Sequence, residues 1–283
     1  MGQRSRCSVR PANIFSETLS LESEATISTV LLTVENHIAT VTLNRPDALN
    51  AVNREMRGEI EAAWTRIRKD DDIRVCILTG AGRAFCSGFD IKETVARIRA
   101  GDSPVDRERR ASVQDAFMPY SIPKPMIAAV NGAAAGGGLG LALSCDILIA
   151  SETALFLAPF AVRSIMNNAI IALLTKKAPY GWSAWMNLSS DRIGAESALR
   201  MGLVNEVMPQ DLLLDRAQEM AERIAANSLD SLRGIKEKLQ QVMEQEMDTA
   251  LTVDGPWAQR INAASEEAEG FSAFVEKRQP QFR

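Results

Sequence analysis

Hydrophobic residues recur with two different periods along this chain, and the change falls near residue 211. Before it, short apolar runs bounded by glycine, proline or asparagine predict strands. One helix is predicted among these strands. Met56 and Ile60 lie on one face at helical spacing, and Asn53, a good N-cap residue, precedes them. The strands predicted in this way are 29–34, 38–43, 74–79, 126–130 and 147–150.

Two glycine-rich loops each connect a predicted strand to a predicted helix. Residues 80–88 lead into a helix over 90–100, and residues 131–138 lead into a buried helix over 139–144. A repeated order of strand, glycine-rich turn and helix is typical of α/β proteins in which such units stack. The sequence therefore predicts an α/β fold built from stacked ββα-type units.

Three apolar faces at helical spacing follow residue 211. They predict amphipathic helices that pack either on their own body or on a neighbouring subunit. Residues 1–27 are rich in Ser and Arg with little apolar periodicity, which predicts a disordered tail, and 28–210 would form the core. The three faces over 211–283 are Leu213, Ala217, Met220 and Ile224; Leu232, Ile235, Leu239, Val242 and Met243; and Ile261, Ala264, Ala268, Phe271 and Phe274.

Composition excludes several classes of protein. The 283 residues carry a net charge of −4, whereas a nucleic-acid-binding protein usually has a basic surplus. The apolar runs are shorter than the roughly 18 residues that span a bilayer, so no membrane span is expected. One histidine, His37, and four cysteines without a CxxC pair argue against a zinc site or a Ser-His-Asp triad. We expect a protein of the cytoplasm, or of an organellar matrix, with reduced thiols.

The two glycine-rich loops are also candidates for chemistry. A helix N-terminus presents backbone N–H groups without intrahelical partners and the positive end of a dipole, and glycine lets a ligand approach closely. Two such turns facing each other would direct two amides at one oxygen, as in an oxyanion hole. Two tight packing turns are the alternative interpretation. Cys86, within the first loop, is either a core residue or a nucleophile.

Five segments carry a more specific signal: NRPDALNAVN (44–53), AFCSGFDIKE (84–93), IPKPMIAAVNGAAAGGGLGLALSCDILIAS (122–151), DRIGAESALRMGLVNEV (191–207) and EGFSAFVEKRQPQF (269–282). In this order and spacing they resemble the signatures of the crotonase (enoyl-CoA hydratase/isomerase) superfamily. The resemblance implies a crotonase-like spiral of ββα units with a C-terminal helical oligomerisation region. It also implies an acyl-CoA thioester as substrate, with coenzyme A as part of that substrate and no permanently bound cofactor or metal.

The resemblance further implies roles for individual residues. The backbone N–H groups of Phe89 and Gly137 would hold the thioester carbonyl as it becomes an enolate. The C-terminal helices would assemble a homotrimer or a dimer of trimers, where Lys277 and Arg278 either meet CoA phosphates or remain solvated charges. The implied substrate-binding residues are Ala48, Leu49, Asn50, Phe89, Asp90, Ile91, Lys92, Gly137, Phe160 and Asn168.

The chain departs from the family pattern at three positions. Gly140 and Phe160 stand where hydratases of the family carry glutamates, and Asn168 stands where related isomerases and dehalogenases carry an aspartate. Hydration needs a base for water and an acid for Cα, each typically worth about 10²–10⁴ in rate. Glycine and phenylalanine supply neither, so ordinary hydratase activity is not expected, and isomerisation meets the same difficulty.

Three alternatives remain open. Decarboxylation of a malonyl-type thioester needs only enolate stabilisation, with Arg163 either holding the departing carboxylate or serving as a surface charge. A base from elsewhere, Asp115 or Glu93, is the second alternative. The third is an acyl-CoA-binding subunit without turnover. The main hypothesis is a lyase- or isomerase-like acyl-CoA enzyme that stabilises a thioester enolate.

Overall fold

A computed structural model of the chain describes residues 28–100, 118–252 and 266–278. The strands in these residues are β1 Val30–Glu35, β2 Ile38–Leu43, β3 Val75–Gly80, β4 Ala84–Cys86, β5 Met126–Val130, β6 Ala133–Ala135, β7 Ile147–Ser151, β8 Leu155–Leu157, β9 Ile193–Gly194 and β10 Glu206–Met208. The helices are α1 Arg54–Lys69, α2 Ile91–Arg99, α3 Gly137–Leu143, α4 Asn168–Lys177, α5 Tyr180–Ser189, α6 Ala195–Arg200, α7 Leu213–Ala225, α8 Leu229–Thr252 and α9 Glu266–Val275.

The strands form two sheets. The larger has the order β1-β2-β3-β5-β7-β10, and the smaller has the order β4-β6-β8-β9. Within the larger sheet only β1 and β2 are antiparallel, and they are joined by a turn with positive φ at Asn36 and His37. Positive φ at both central residues matches the right-handed twist of a hairpin, so this turn fixes the register of the first two strands.

Three successive units repeat one path through the two sheets. Each runs from a strand of the larger sheet to a short strand of the smaller sheet and then to a helix, as β3–β4–α2, β5–β6–α3 and β7–β8–α4. Equivalent strands pair in parallel, so the units stack as a spiral. This confirms the predicted α/β fold of stacked ββα units.

Alternate residues of β3 enter two different cores. Cys76 and Leu78 face the larger core, which α1, α3 and α4 also enter, whereas Val75 and Ile77 face a smaller core covered by α7. A parallel strand buried on both faces alternates in this way. The smaller core confirms the predicted apolar face of α7 and joins that helix to the body, although its sequence lies beyond residue 211.

The body holds α8 through a buried lysine. The Lys236 side chain is 4% exposed, and its Nζ donates to the Lys124 carbonyl at 2.7 Å and to Asp146 Oδ2 at 2.8 Å. Lys124 is itself fully buried, and its Nζ donates to the Ile67 carbonyl at 2.7 Å and to the Asp70 carbonyl. These carbonyls end α1, where a cation is favoured by the helix dipole.

Two apolar residues of α8 face the other way. Ile235 and Leu239, from the second predicted apolar face, are 60% and 62% exposed. Lys236, which lies next to Ile235 in the sequence, is buried on the side toward the body, and Leu232 of the same predicted face is half-buried. Ile235 and Leu239, one helical turn apart, thus form a hydrophobic strip on the outside of the described chain.

Several predicted boundaries need correction. The predicted loops 80–88 and 131–138 each contain a short strand of the smaller sheet, β4 in the first loop and β6 in the second. Each of these strands is only three residues long. The helix predicted from residue 139 begins at Gly137. The predicted tail, Asp115, Ile261 and Ala264 lie outside the described residues. None of the helices in the described ranges is both long and apolar enough to span a membrane.

Candidate active site

The first glycine-rich turn connects β4 to α2 and is fastened to the residue that precedes the cap of α1. Gly88 has a φ of +97°, a conformation that glycine adopts without strain. The Gly88 carbonyl accepts the Val52 N–H at 2.8 Å, and the Val52 carbonyl accepts the Asp90 N–H at 2.9 Å. Phe89, between these two bonds, forms a parallel bridge with Val52. The backbone at Phe89 is therefore fixed from both sides.

The second glycine-rich turn connects β6 to α3. Gly136 has a φ of +51° and donates its N–H to the Leu157 carbonyl at 3.0 Å. Gly137 is the first residue of α3, so its N–H has no acceptor within the helix and lies at the positive end of the helix dipole. An amide in this position is suited to a negatively charged oxygen.

The two turns are in direct contact. A Cβ added to Gly88 would lie 2.8 Å from the Ala135 oxygen and 3.2 Å from the Gly137 nitrogen. A Cβ added to Gly137 would lie 3.2 Å from Cε2 of the Phe89 ring. Both glycines therefore permit an approach that any side chain would disturb, and the approach places Phe89 beside Gly137.

The predicted ligand-lining stretch Ala48–Asn50 is tied to the first turn. Leu49 and Asn50 both have positive φ, and the Leu49 carbonyl accepts the Ser87 N–H at 3.0 Å. Asn50 is fully buried, and its side chain donates to the carbonyls of Ala81 at 2.9 Å and Ala84 at 2.7 Å. Its Oδ1 also accepts the Arg45 N–H, so the Asn50 side chain fixes the shape of this loop from within.

The predicted residues after Phe89 begin α2. Asp90 caps the helix, because its Oδ1 accepts the N–H groups of Lys92 at 3.1 Å and Glu93 at 3.3 Å. Its Oδ2 forms an ion pair with Arg45 at 3.2 Å. Ile91 is half-buried. Lys92 is exposed, so its ammonium group is accessible to solvent or to a phosphate of a ligand.

Gly140, at the first family glutamate position, lies in an apolar contact. A Cβ added there would lie 2.5 Å from Met118 Cε and 2.8 Å from Ile170 Cγ1. These two side chains occupy the space into which a glutamate would extend. The sequence alone did not identify Met118 or Ile170, because nothing in the local pattern places them opposite a glycine of another segment.

Phe160, at the second family glutamate position, is 8% exposed and packs in the larger core. The preceding Pro159 lies against the second turn, since its Cγ is 3.9 Å from the place of a Cβ on Gly136. Asn168 is the first residue of α4 and is half-buried, while Asn167 caps the helix by accepting the Ile170 N–H at 3.1 Å. Through Ile170, α4 reaches Gly140, and through Pro159 the segment that carries Phe160 reaches Gly136.

The other candidate acids and nucleophiles lie in structural roles. Glu93 accepts the Arg54 N–H at 3.0 Å, so its carboxylate is directed at the N-terminus of α1. Burial raises the pKa of Cys86 to about 12, which keeps it a thiol at neutral pH and argues against a nucleophile. The exposed His37 holds the Asp72 carbonyl through Nδ1 at 2.9 Å. Within the described ranges, His, Cys, Asp and Glu form no cluster that could hold a metal ion.

Near the end of the described chain, Arg278 is engaged with two carboxylates. Its guanidinium lies 2.5 Å from Glu269 Oε1 and 2.7 Å from Glu276 Oε2, whereas Lys277 is exposed with a φ of +54°. A phosphate would compete with these ion pairs at Arg278 but not at an exposed ammonium. Of the two predicted phosphate ligands, Lys277 is thus the more accessible.

Comparison with known proteins gives a consistent picture. The chain matches a family model described as enoyl-CoA hydratase/isomerase over residues 33–283. It is 36% identical over 259 residues to (E)-benzylidenesuccinyl-CoA hydratase of Thauera aromatica, a match that covers 90% of this chain and 98% of that protein. It is 33% identical over 259 residues to 1,2-epoxyphenylacetyl-CoA isomerase of Escherichia coli K12, covering 89% and 97%.

The fold also matches solved structures. It superposes on the crystal structure of carnitinyl-CoA hydratase from Mycobacterium avium with a TM-score of 0.79 at 30% identity. The match covers 91% of this chain and 99% of that one. The likeness therefore extends over nearly the whole of both chains.

Proposed function

The chain belongs to the enoyl-CoA hydratase/isomerase family, and from that membership we propose that it acts on an acyl-CoA thioester whose carbonyl oxygen lies between the N–H groups of Phe89 and Gly137. The observation that carries the proposal is the direct contact of the two glycine-rich turns, which sets Phe89 beside the first residue of α3. Coenzyme A would arrive as part of the substrate.

Such a site would stabilise an enolate by electrostatics. Negative charge develops on the thioester oxygen as the enolate forms, and a preorganised amide donor is typically worth about 10²–10³ in rate. The Val52 bridge and the start of α3 fix the two proposed donors before substrate binds. No reorganisation is then needed as the charge appears.

The proposed reaction depends little on the two family glutamates. The Gly140 position faces Met118 and Ile170, and Phe160 is buried, so neither position offers a proton carrier to Cα or to water. Efficient hydration normally uses both an acid and a base, each worth about 10²–10⁴. We therefore propose a reaction in which enolate stabilisation is the main requirement.

Decarboxylation of a malonyl-type thioester is the specific candidate that fits this requirement. The bond between Cα and the carboxylate breaks, its electron pair enters the enolate, carbon dioxide leaves, and Cα then takes a proton from solvent. A half-buried cation at Arg163 favours a substrate with a free carboxylate, and the aromatic Phe160 is compatible with a reaction that needs no base at its position. The Thauera relative is named for a benzylidenesuccinyl-CoA thioester, whose acyl group is likewise derived from a dicarboxylic acid.

We further propose that residues 211–283 form a subunit interface, in a homotrimer or a dimer of trimers. The support is the outward apolar strip of α8, with Ile235 and Leu239 more than half exposed in the single chain. Exposed apolar strips of this kind commonly mark protein contacts. Sedimentation equilibrium tests it: a monomer at micromolar concentration would contradict the proposal.

The function is tested with a panel of crotonyl-, malonyl- and phenylacetyl-type CoA thioesters. We expect binding of several members and turnover of the malonyl type, with little hydration of crotonyl-CoA. Binding of the panel without any turnover would favour an acyl-CoA-binding subunit. Hydration of crotonyl-CoA at rates typical of enzymes, with kcat of about 10 s⁻¹ or above, would contradict the proposal. It would mean that another group replaces the two glutamates.

A further inference from the structure

Arg163 differs from the other half-buried arginines of the described chain. Arg45, Arg57, Arg216 and Arg233 each form an ion pair with a carboxylate, and Arg74 donates to the Ala225 carbonyl at 3.0 Å. No carboxylate among the described residues pairs with Arg163; instead its guanidinium carbon lies 4.4 Å from the centre of the Phe274 ring. Burial lowers the pKa of Arg163 from its ordinary value, which indicates a desolvated cation.

The fold holds this cation beside Phe160. Arg163 ends the 3-10 turn Ala161–Arg163, and the Phe160 carbonyl accepts its N–H at 3.1 Å. Side chains three residues apart eclipse in a 3-10 helix, so Arg163 extends from the same side of the turn as Phe160. It therefore leaves the backbone next to the second family glutamate position.

The helix α9 closes over the same turn. Gly270 lies so near the Arg163 carbonyl that an added Cβ would collide with it, and Phe274, one turn further along α9, covers the guanidinium. Stacking on a ring uses one face of a guanidinium and leaves the N–H groups along its edge for hydrogen bonds. Those edge donors match a carboxylate bidentately.

We propose that Arg163 binds a second, free carboxylate on the acyl group, so that dicarboxylic acyl-CoA thioesters are the preferred ligands. This inference rests on the proposed function, because it takes the thioester to be bound at Phe89 and Gly137. It adds the substrate class. A desolvated cation is costly without an anion, and a carboxylate brought by the substrate removes that cost only for ligands that carry one.

Two alternative roles for Arg163 predict different experimental results. The guanidinium would bind a phosphate of coenzyme A if that moiety, rather than the acyl group, reached the turn. It would serve only to fix α9 if the stack on Phe274 were its whole role. A phosphate contact affects every CoA thioester equally, and a purely structural contact affects every ligand together with stability.

The test is calorimetric binding of matched saturated thioesters, adipyl-CoA against hexanoyl-CoA and glutaryl-CoA against pentanoyl-CoA. Arg163→Gln is compared with wild type and with Arg200→Gln, which removes an exposed arginine paired with Glu196. We expect Arg163→Gln to weaken adipyl-CoA or glutaryl-CoA by about 10-fold or more, as for loss of a charged hydrogen bond, and to leave the monocarboxylic partners within about twofold. Arg200→Gln leaves all four unchanged.

The contrary outcomes are distinct. Equal weakening of all four ligands that disappears with 3′-dephospho-CoA thioesters assigns Arg163 to the phosphate and overturns the inference. Equal weakening accompanied by a lowered Tm, reproduced by Phe274→Leu, assigns it to the attachment of α9 and also overturns it. If none of the four thioesters binds the wild-type protein, the proposed function itself fails; if they bind and the preference for the dicarboxylic ligands is absent or unaltered by Arg163→Gln, only the inference on Arg163 fails.

Discussion

At the two glycine-rich turns the polar groups available to a partner are backbone amides, whereas at the junction of α8 with the body they are charged side chains. The turns meet through Gly88 and Gly137, which have no side chains to bury. The junction buries Lys124 and Lys236, whose ammonium groups are taken up by carbonyls and by Asp146. The two regions therefore use different polar groups, backbone amides at the turns and charged side chains at the junction.

The difference shows where this chain uses charge. A buried charge needs a permanent partner, because an unpaired ion in the interior is costly, and Lys236 has such partners within the chain. A helix-terminal amide carries only a partial charge, so leaving it without a bound ligand costs little free energy. Apart from Arg163, whose carboxylate partner is proposed to come with the substrate, charged groups therefore fix the architecture, while the proposed oxyanion site relies on the backbone.

The largest effect is expected from removal of the Gly137 donor. Gly137→Pro deletes the N–H at the first position of a helix, where proline is best tolerated, and should lower turnover of the active panel substrate about 10²–10³-fold. Single-turnover kinetics with saturating substrate measure this loss directly.

Gly137→Ala is the matched control. Its methyl group meets the Phe89 ring at 3.2 Å, as a proline would, but its N–H is kept. We expect the alanine variant to retain most of the activity. Equal losses in the two variants, with both folded, would assign the effect to displacement of Phe89 and would remove the donor role of Gly137.

The next effect concerns the charged junction. Lys236→Met keeps the length of the side chain but removes the donor to the Lys124 carbonyl and leaves Asp146 with the Met126 N–H and no cation. It should lower the free energy of unfolding by about 3 kcal/mol, the lower part of the range for breaking a buried pair, because Asp146 is one-third exposed. Urea unfolding at one fixed protein concentration measures it.

Lys238→Met serves as the comparison on the same helix, since Lys238 is exposed. A change at an exposed site is expected to stay within about 0.5 kcal/mol. Similar stabilities for the two variants would show that the buried ammonium does not fix α8, and the contrast between the two regions would lose its basis.

The smallest effect is expected at Gly140. Gly140→Ala places a methyl group against Met118 and Ile170, whose terminal atoms can move, and should cost about 1–2 kcal/mol of stability by overpacking. Gly140→Glu should cost more, because it also buries a carboxylate among apolar side chains. Neither variant should hydrate crotonyl-CoA.

The double variant Gly140→Glu with Met118→Ala makes room for the introduced side chain. It should recover part of the stability lost in Gly140→Glu, as measured by urea unfolding. Efficient crotonyl-CoA hydration by Gly140→Glu alone would show that the apolar contact does not exclude a glutamate, and the proposed site would then resemble an ordinary hydratase site.

Much of the fold was predictable because its signals are local. The alternation in the first two strands, the Asn53 cap and the apolar face of α7 all depend on neighbouring residues, and the structure confirms them. β4 and β6 were missed within glycine-rich loops, because strands of three residues show too little periodicity to be recognised.

The sequence by itself determined which residues could do chemistry and which could not. It placed glycine and phenylalanine where proton carriers are expected, and glycines where a backbone must approach closely. Only the tertiary structure decided that Met118 and Ile170 fill the space beside Gly140, that Phe89 lies against Gly137, and that the Arg163 guanidinium stacks on Phe274. Such contacts join segments far apart in the chain, and packing between layers, rather than any local pattern, selects them.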